Sequence, residues 1–221
     1  MLAEWLAQPQ DIAPLFERIF AEKCQEESIG LGYHTERLRN AMLEDLKQFA
    51  ADTQWPRAQF SSETEKEFQV PLDDTFQVAG RIDRIDTDAE GRAYVIDYKY
   101  SAPERVKAKK DSGQLQGPVY ALAAERGFGV RPAGMFFVGV KKEVKYVGWS
   151  DTGLLDADPI PAEWAQTAGQ ALRIVSEIRL GRLAPAPADR DVCRYCDVRD
   201  VCRIEIARKV APLQIPATEG A

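Results

Sequence analysis

Two β-rich segments, each carrying aspartates among apolar residues, constrain this chain more than anything else in it. The first runs from Phe76 through Gly80-Arg-Ile-Asp-Arg-Ile-Asp86, and the second is Tyr94-Val-Ile-Asp-Tyr-Lys-Tyr100. Between them, Asp88-Ala-Glu-Gly91 is a turn signal, because Asp offers local hydrogen bonds and Gly tolerates the backbone angles of a reversal. The pair therefore reads as a β-hairpin. A turn centred near residue 90 sets Asp83 opposite Asp97, with Cβ atoms about 5 Å apart. Residues two apart on a strand share a face, so Lys99 joins Asp97. A slip of one residue would send the two aspartates to opposite faces.

Two carboxylates this close repel unless a cation neutralises them. Mg²⁺ and Mn²⁺ suit such a site, because both prefer hard oxygen ligands. Lys99 could then orient or help deprotonate a metal-bound water and stabilise charge on a phosphate. The alternative is a surface ladder of ion pairs, Asp97 with Lys99 and Asp83 with Arg81 or Arg84. Against it, Asp97 follows Val95-Ile96 and Asp83 follows Ile82. These are buried-looking strands, where an unpaired charge is expensive. Downstream, Gln116 and Tyr120 stand four apart on a helical segment and so share a face. They could position a phosphate or bond the lysine; a partly buried first helical turn is the plainer alternative.

The remaining pattern supplies a frame. Ile12, Leu15, Phe16, Ile19 and Phe20 predict a helix over 11–24, and Leu38, Met42, Leu46 and Phe49 a second over 34–51. Phe68-x-Val70 is a strand fragment. Residues 103–110 read as a loop holding the basic run Arg105-Val-Lys-Ala-Lys-Lys110, followed by a helix over 114–126 that Gly117-Pro118 delays or bends. Strands follow at 135–140 and, as an edge, 144–149. A helix spans 162–181, and 184–188 (Ala-Pro-Ala-Pro-Ala) is a linker. Beyond the cysteines come a short helix and a tail from Pro212. Strands joined by tight turns pair antiparallel, and one reached through a helix can pair in parallel. The expected fold class is α/β, a mixed central sheet flanked by helices.

The 221 residues carry 29 basic and 35 acidic side chains, a net charge of −6. This argues against a non-specific, wholly basic nucleic-acid binder but not against a nucleic-acid enzyme, whose metal-binding carboxylates add negative charge. Arg105, Lys107, Lys109 and Lys110 form a local basic patch able to grip a phosphate backbone, and Lys141, Lys142 and Lys145 flank Glu143 in another. Both patches also suit a solvated face. No apolar run approaches the ~18 residues of a membrane span, and the amino terminus does not resemble a signal peptide. Four cysteines are too few for a disulfide scaffold. The expected compartment is cytoplasmic.

Three of the four cysteines cluster as Cys193-x₂-Cys196-x₅-Cys202, a spacing that lets thiolates share one metal. Arg194, Asp197, Arg199 and Asp200 leave that segment little apolar material for a core of its own, which favours a metal.

Taken in order, Gly80-x-x-Asp83, Asp97-x-Lys99 and Gln116-x-x-x-Tyr120 resemble the core motifs of the PD-(D/E)XK nuclease superfamily, most closely the RecB/AddB-type nuclease domains of bacterial recombination helicase–nucleases. The resemblance implies a restriction-endonuclease-like αβββαβ core over residues 1–188 and a cluster-binding segment over 189–221. It implies a Mg²⁺- or Mn²⁺-dependent deoxyribonuclease, an exonuclease of DNA repair leaving a 5′-phosphate and a 3′-hydroxyl. The metal would be held by Asp83, Asp97 and the Tyr98 carbonyl. Lys99 would serve the attacking water, with Gln116 and Tyr120 in support. DNA and a helicase subunit or domain are the implied partners. An iron–sulfur variety of the family implies a structural [4Fe–4S] cluster on Cys193, Cys196 and Cys202, with zinc as the alternative. Cys24 would be the fourth ligand and Gly30-x-x-x-His34 the family's Gly–His motif. A second alignment places that motif and the first cysteine upstream of Met1, leaving Cys24 and His34 outside the site. On that alignment the chain is a truncated domain, and a catalytically weak or inactive DNA-binding scaffold module is the alternative function.

Overall fold

The computed structural model describes residues 1–111, 115–182, 193, 196 and 198–202. The chain divides into two compact units, Met1–Leu172 and Arg173–Ala221. The first opens with three helices, α1 (Leu2–Ala7), α2 (Ile12–Glu26) and α3 (Tyr33–Ala51). Asp11 caps α2 by accepting the Ala13 N–H at 3.0 Å, satisfying one of the free donors of a helix start. The apolar stripe that predicts α2 is buried at Ile12, Leu15 and Phe16, and that of α3 at Leu46 and Phe49.

Five strands follow: β1 (Ser61–Asp73), β2 (Phe76–Thr87), β3 (Arg92–Lys99), β4 (Arg131–Gly139) and β5 (Lys145–Ser150). They form one sheet in the order β1-β2-β3-β4-β5. All pairings are antiparallel except β3–β4, which is parallel. The crossover between β3 and β4 carries α4 (Pro103–Asp111) and α5 (Gln116–Phe128). The mixed α/β class expected from the strand and helix order is the one observed.

Each face of the sheet has its own core. One gathers Trp5, Phe16, Phe49 and Trp55 around Tyr94, Ile96, Phe136 and Val138. The other packs Val106 of α4 and Ala123 and Ala124 of α5 onto Ile85, Val95, Met135 and Phe137. Even-numbered β3 residues thus face α1–α3 and odd-numbered ones face α4 and α5, the period-two alternation of a strand buried on both sides.

Several local expectations need correction. Arg105–Lys110 is not loop: it lies within α4, whose Val106 is buried. One apolar residue was too little periodicity to signal a helix, and its docking on the sheet decides the conformation. The strand at Phe68 is longer than its apolar core, because most of its remaining residues pair with β2 while exposed or half-buried. The helix expected over 162–181 is a 3₁₀ turn, Ala162–Gln166, continuing into α6 (Thr167–Arg179). The short α1 escaped the sequence pattern. The linker at 184–188 and the tail from Pro212 lie outside the described residues. No helix among the described residues is long and apolar enough to cross a membrane.

In the second unit, Arg199–Cys202 forms a single turn, α7. The Cys196 N–H reaches the Cys193 carbonyl at 3.4 Å, and the Cys202 N–H reaches the Val198 carbonyl at 2.9 Å.

Candidate active site

The β2–β3 ladder runs in register from Thr87↔Ala93 to Arg84↔Ile96. One step further the same register sets Asp83 against Asp97. There the ladder gives way to a side chain: the Tyr98 N–H donates to Asp83 Oδ2 at 2.8 Å. The carboxylate thus stands where a main-chain acceptor would otherwise be, held at the mouth of the opening hairpin.

The local backbone explains why Asp83 departs from regular alternation. Ile82 packs in the α4/α5 core, yet Arg84, two residues on, reaches the Tyr98 phenol and Asp86 on the opposite face. In β1, Thr64↔Arg84 and Lys66↔Ile82 bracket Glu65, a non-glycine residue at φ +53°. An irregularity of this sort increases twist and re-aims the side chains beside it. Gly80 serves the same region. A Cβ there would come within 2.9 Å of the Phe68 ring, and that ring meets Tyr120 edge-on at 6.1 Å between centroids. The glycine of the Gly-x-x-Asp string therefore makes room for a ring that braces the phenol.

Asp97 is only 1 % exposed. Its Oδ1 accepts from Gln116 Nε2 at 2.8 Å, and the same amide donates to the Tyr120 hydroxyl at 3.1 Å. Lys99 Nζ lies 2.6 Å from Oδ2. That approach is off the hydrogen-bonding direction, so the buried Oδ2 has a counter-charge but no aligned donor. Burial pushes the Asp97 carboxyl above its ordinary range; Lys99 opposes the shift and nearby Asp83 adds to it. The Tyr120 phenol is likewise raised, chiefly by burial. Gln116 begins α5, whose next residue packs closely: a Cβ on Gly117 would meet the Trp164 ring at 3.2 Å and Trp149 at 3.4 Å. That contact seats the helix start that carries Gln116.

Asp83, Asp97, Lys99, Gln116 and Tyr120 are thus gathered at one place. The basic patch divides. Lys109 Nζ sits 5.4 Å from the Phe137 ring centroid, and Phe137 pairs in register with Asp97. Its ammonium pKa is lowered by burial and by Lys99, and Asp97 offsets part of this. Lys110 is ion-paired with Asp158 and lies 5.4 Å above Trp149. Arg105 and Lys107 are exposed on α4.

The surface ladder weighed for the hairpin holds only for Asp97 with Lys99. Arg81 pairs with Glu65 at 2.8 Å, and Arg84 with Asp86 at 2.6 Å. Asp86 is wholly buried and also takes the Trp55 Nε1–H and the Ser62 hydroxyl, each at 2.6 Å. Arg84 Nη1 in turn donates to the Tyr98 hydroxyl at 3.2 Å. This network lies directly beneath the site and escaped the sequence reading. The pairing of an even-numbered Arg and Asp on β2, out of phase with Asp83, was the one available signal.

Cys24 and His34 do not join this site. They line an apolar groove between α2 and α3, of about 520 Å³, with Phe16, Phe20, Ile29 and Leu38. His34 is exposed, its ring 5.6 Å from that of Tyr33. Among the described residues, no three His, Cys, Asp or Glu side chains gather closely enough to hold an ion. Neither His34 with the two aspartates nor Cys193 with Cys196 and Cys202 forms such a set.

The sequence pattern of the PD-(D/E)XK nuclease superfamily matches residues 2–203. The chain belongs to that superfamily. Among solved structures it is similar to a protein of Eubacterium rectale described as a candidate exonuclease, at 12% identity and a TM-score of 0.50, covering 96% of this chain and 80% of that one. A second, the protein SSO0001, aligns at 15% identity and a TM-score of 0.40, covering 86% and 80%. At these identities the first likeness speaks for the fold alone, and the second is too loose to argue from. No curated protein matches.

Proposed function

We propose that this chain is a divalent-metal-dependent deoxyribonuclease of the RecB/AddB type, acting as an exonuclease in DNA repair. The observation that carries the reading is Asp97: a buried carboxylate, raised in pKa, with one oxygen lacking an aligned donor, facing a second carboxylate across an opened hairpin. A cost of this kind concentrates at functional sites. The donor set of two carboxylates and no soft ligand suits Mg²⁺ or Mn²⁺. Asp83 and Asp97 would hold the ion, with the Tyr98 carbonyl as a further oxygen ligand. Bound there, it would supply Lewis-acid polarisation of the phosphate and a more acidic water.

The chain's own residues do the rest. Gln116 fixes the rotamer of Asp97 through Oδ1 and leaves Oδ2 directed at the site. The Tyr98 N–H fixes Asp83 in the same way. Lys99, beside Oδ2, orients the attacking water, and its ammonium stabilises charge on the phosphate. Lys109, Arg105 and Lys107 offer cations to the substrate backbone. Cleavage would leave a 5′-phosphate and a 3′-hydroxyl.

Replacing Asp97 by Ala is expected to abolish Mg²⁺-dependent degradation of DNA while the circular dichroism spectrum stays native. Retained degradation would remove the assignment. Salt-dependent DNA binding with no cleavage by the unaltered protein, under Mg²⁺ or Mn²⁺, would instead favour the scaffold module. The iron–sulfur cluster on Cys193, Cys196 and Cys202 rests on their spacing and on the family resemblance. Anaerobic purification tests it: a brown protein with broad absorbance near ~400 nm supports the cluster, and a colourless one with stoichiometric zinc replaces it with zinc. A helicase partner and a cytoplasmic location belong to the same reading.

A further inference from the structure

Just past the site, β3 and β4 end side by side, with Lys99 paired to Gly139. The chain leaving β4 makes the turn Val140–Val144 into β5. Asp45 of α3, almost wholly buried, is spent on this turn: Oδ1 accepts the Lys142 N–H at 2.9 Å, and Oδ2 accepts the Tyr100 hydroxyl at 2.8 Å. Tyr100 is the residue after Lys99, and burial followed by the Asp45 carboxylate holds its phenol well above the ordinary range. Lys142 is held at φ +72°, a conformation a lysine adopts at a cost. Lys141 Nζ is parked 5.3 Å from the Tyr100 ring centroid. Strain of this kind persists where the surrounding structure over-determines it, and it clusters at functional segments.

The pinned turn presents cations. Lys141, Lys142 and Lys145 stand against Glu143 alone. Lys23, Lys66, Lys99 and Lys110 each have a carboxylate partner; among the described residues, the Lys141 and Lys142 ammonium groups have none. Both residues are exposed. The turn belongs to the α1–α3 face of the sheet, and α4 to the other. Val106, between Arg105 and Lys107, seats α4 on Gly139, where a Cβ would come within 2.7 Å of it. Both basic elements therefore start from the strand ends that carry Lys99. Open α/β sheets take their ligands outside the carboxyl ends of their strands.

We infer that the β4–β5 turn is a second anchoring edge for nucleic-acid backbone, Lys141 and Lys142 gripping phosphates on the side of the site opposite α4. This rests on the nuclease reading above. The test compares binding of the unaltered protein and a Lys141→Gln/Lys142→Asn variant to a DNA duplex with a single-stranded end, without divalent ions, across a salt series. Asn tolerates the left-handed backbone at 142, so the turn keeps its shape. The slope of log K against log salt should fall by about 1.4–1.8, the share of two phosphate contacts. Affinity at low salt should drop at least tenfold. A Lys23→Gln/Arg126→Gln variant, the same charge change elsewhere, should leave the slope unaltered. An unchanged slope in the first variant, or an equal fall in the second, overturns the inference. If the unaltered protein cleaves DNA but the slope is insensitive, the inference alone fails. If it binds DNA without cleaving it, the catalytic reading fails and the anchoring edge is still judged by its slope. Absence of any DNA binding overturns both.

Discussion

Asp97 is almost fully withdrawn from water, and burial holds its carboxyl above the ordinary range against the pull of Lys99. A group whose folded pKa exceeds its unfolded one binds more protons folded, so its contribution to stability falls as pH rises through that interval. In metal-free protein, Asp97→Asn should therefore be more stable than the unaltered chain at neutral pH. The gap should close as pH drops through the range where Asp97 takes up its proton. Urea unfolding at several pH values in chelator checks this, and a gap that widens on acidification would contradict it. The opposite case lies on the other face of the sheet. Arg84 is only 2 % exposed and satisfies two oxygens of the buried Asp86. Arg84→Met leaves that carboxylate with Trp55 and Ser62 but no cation, at a cost of about 3–5 kcal/mol. Thermal unfolding should register the loss. The two aspartates are chemically alike but lie on opposite faces of the sheet: Asp86 has its charge answered, Asp97 only in part. The Asp83/Asp97/Lys99 set was legible because register and alternation are properties of the string. The Arg84–Asp86 pair was not, because Trp55 and Ser62 reach it from distant parts of the chain.

Elements show where local pattern yields to docking. α2 and α3 carry enough apolar repeats to announce themselves, and their boundaries fall within a residue or two of expectation. α4 has one buried apolar side chain, Val106, and is helical because Gly139 lets it seat on β4. Gly139→Ala should drive a Cβ into Val106 and toward the Ser101 carbonyl, 3.0 Å away. Overpacking of this kind costs about 1–3 kcal/mol. The variant should melt lower and bind DNA less tightly, since Arg105 and Lys107 ride on the displaced helix; a native melting temperature would show that α4 has slack. β1 illustrates the converse. Its length follows from pairing with β2 rather than from its own hydrophobicity, and the irregularity at Glu65 has no mark in the sequence.

At the scale of the whole molecule, the sheet separates two tasks. The face under α1–α3 is aromatic and braced by the Arg84–Asp86 network, while the face under α4 and α5 meets Asp97, Gln116 and Tyr120, the residues proposed to act in catalysis. The sense of the pairings could be read from turn signals and the helical crossover, and with it the mixed sheet; the strand order is set by packing and could not. The cysteine segment could not be followed in the same way, since Cys24 lies in a groove between α2 and α3, and Cys193, Cys196 and Cys202 do not converge among the described residues. The parallel pairing of β3 with β4 has a wider effect. Because the two run the same way, the chain exits both at a single rim. Extra residues added to either exit would change what the protein can hold there without breaking one rung of the sheet. The rim can thus change its reach while Asp83, Asp97 and Lys99 keep their places on the strands.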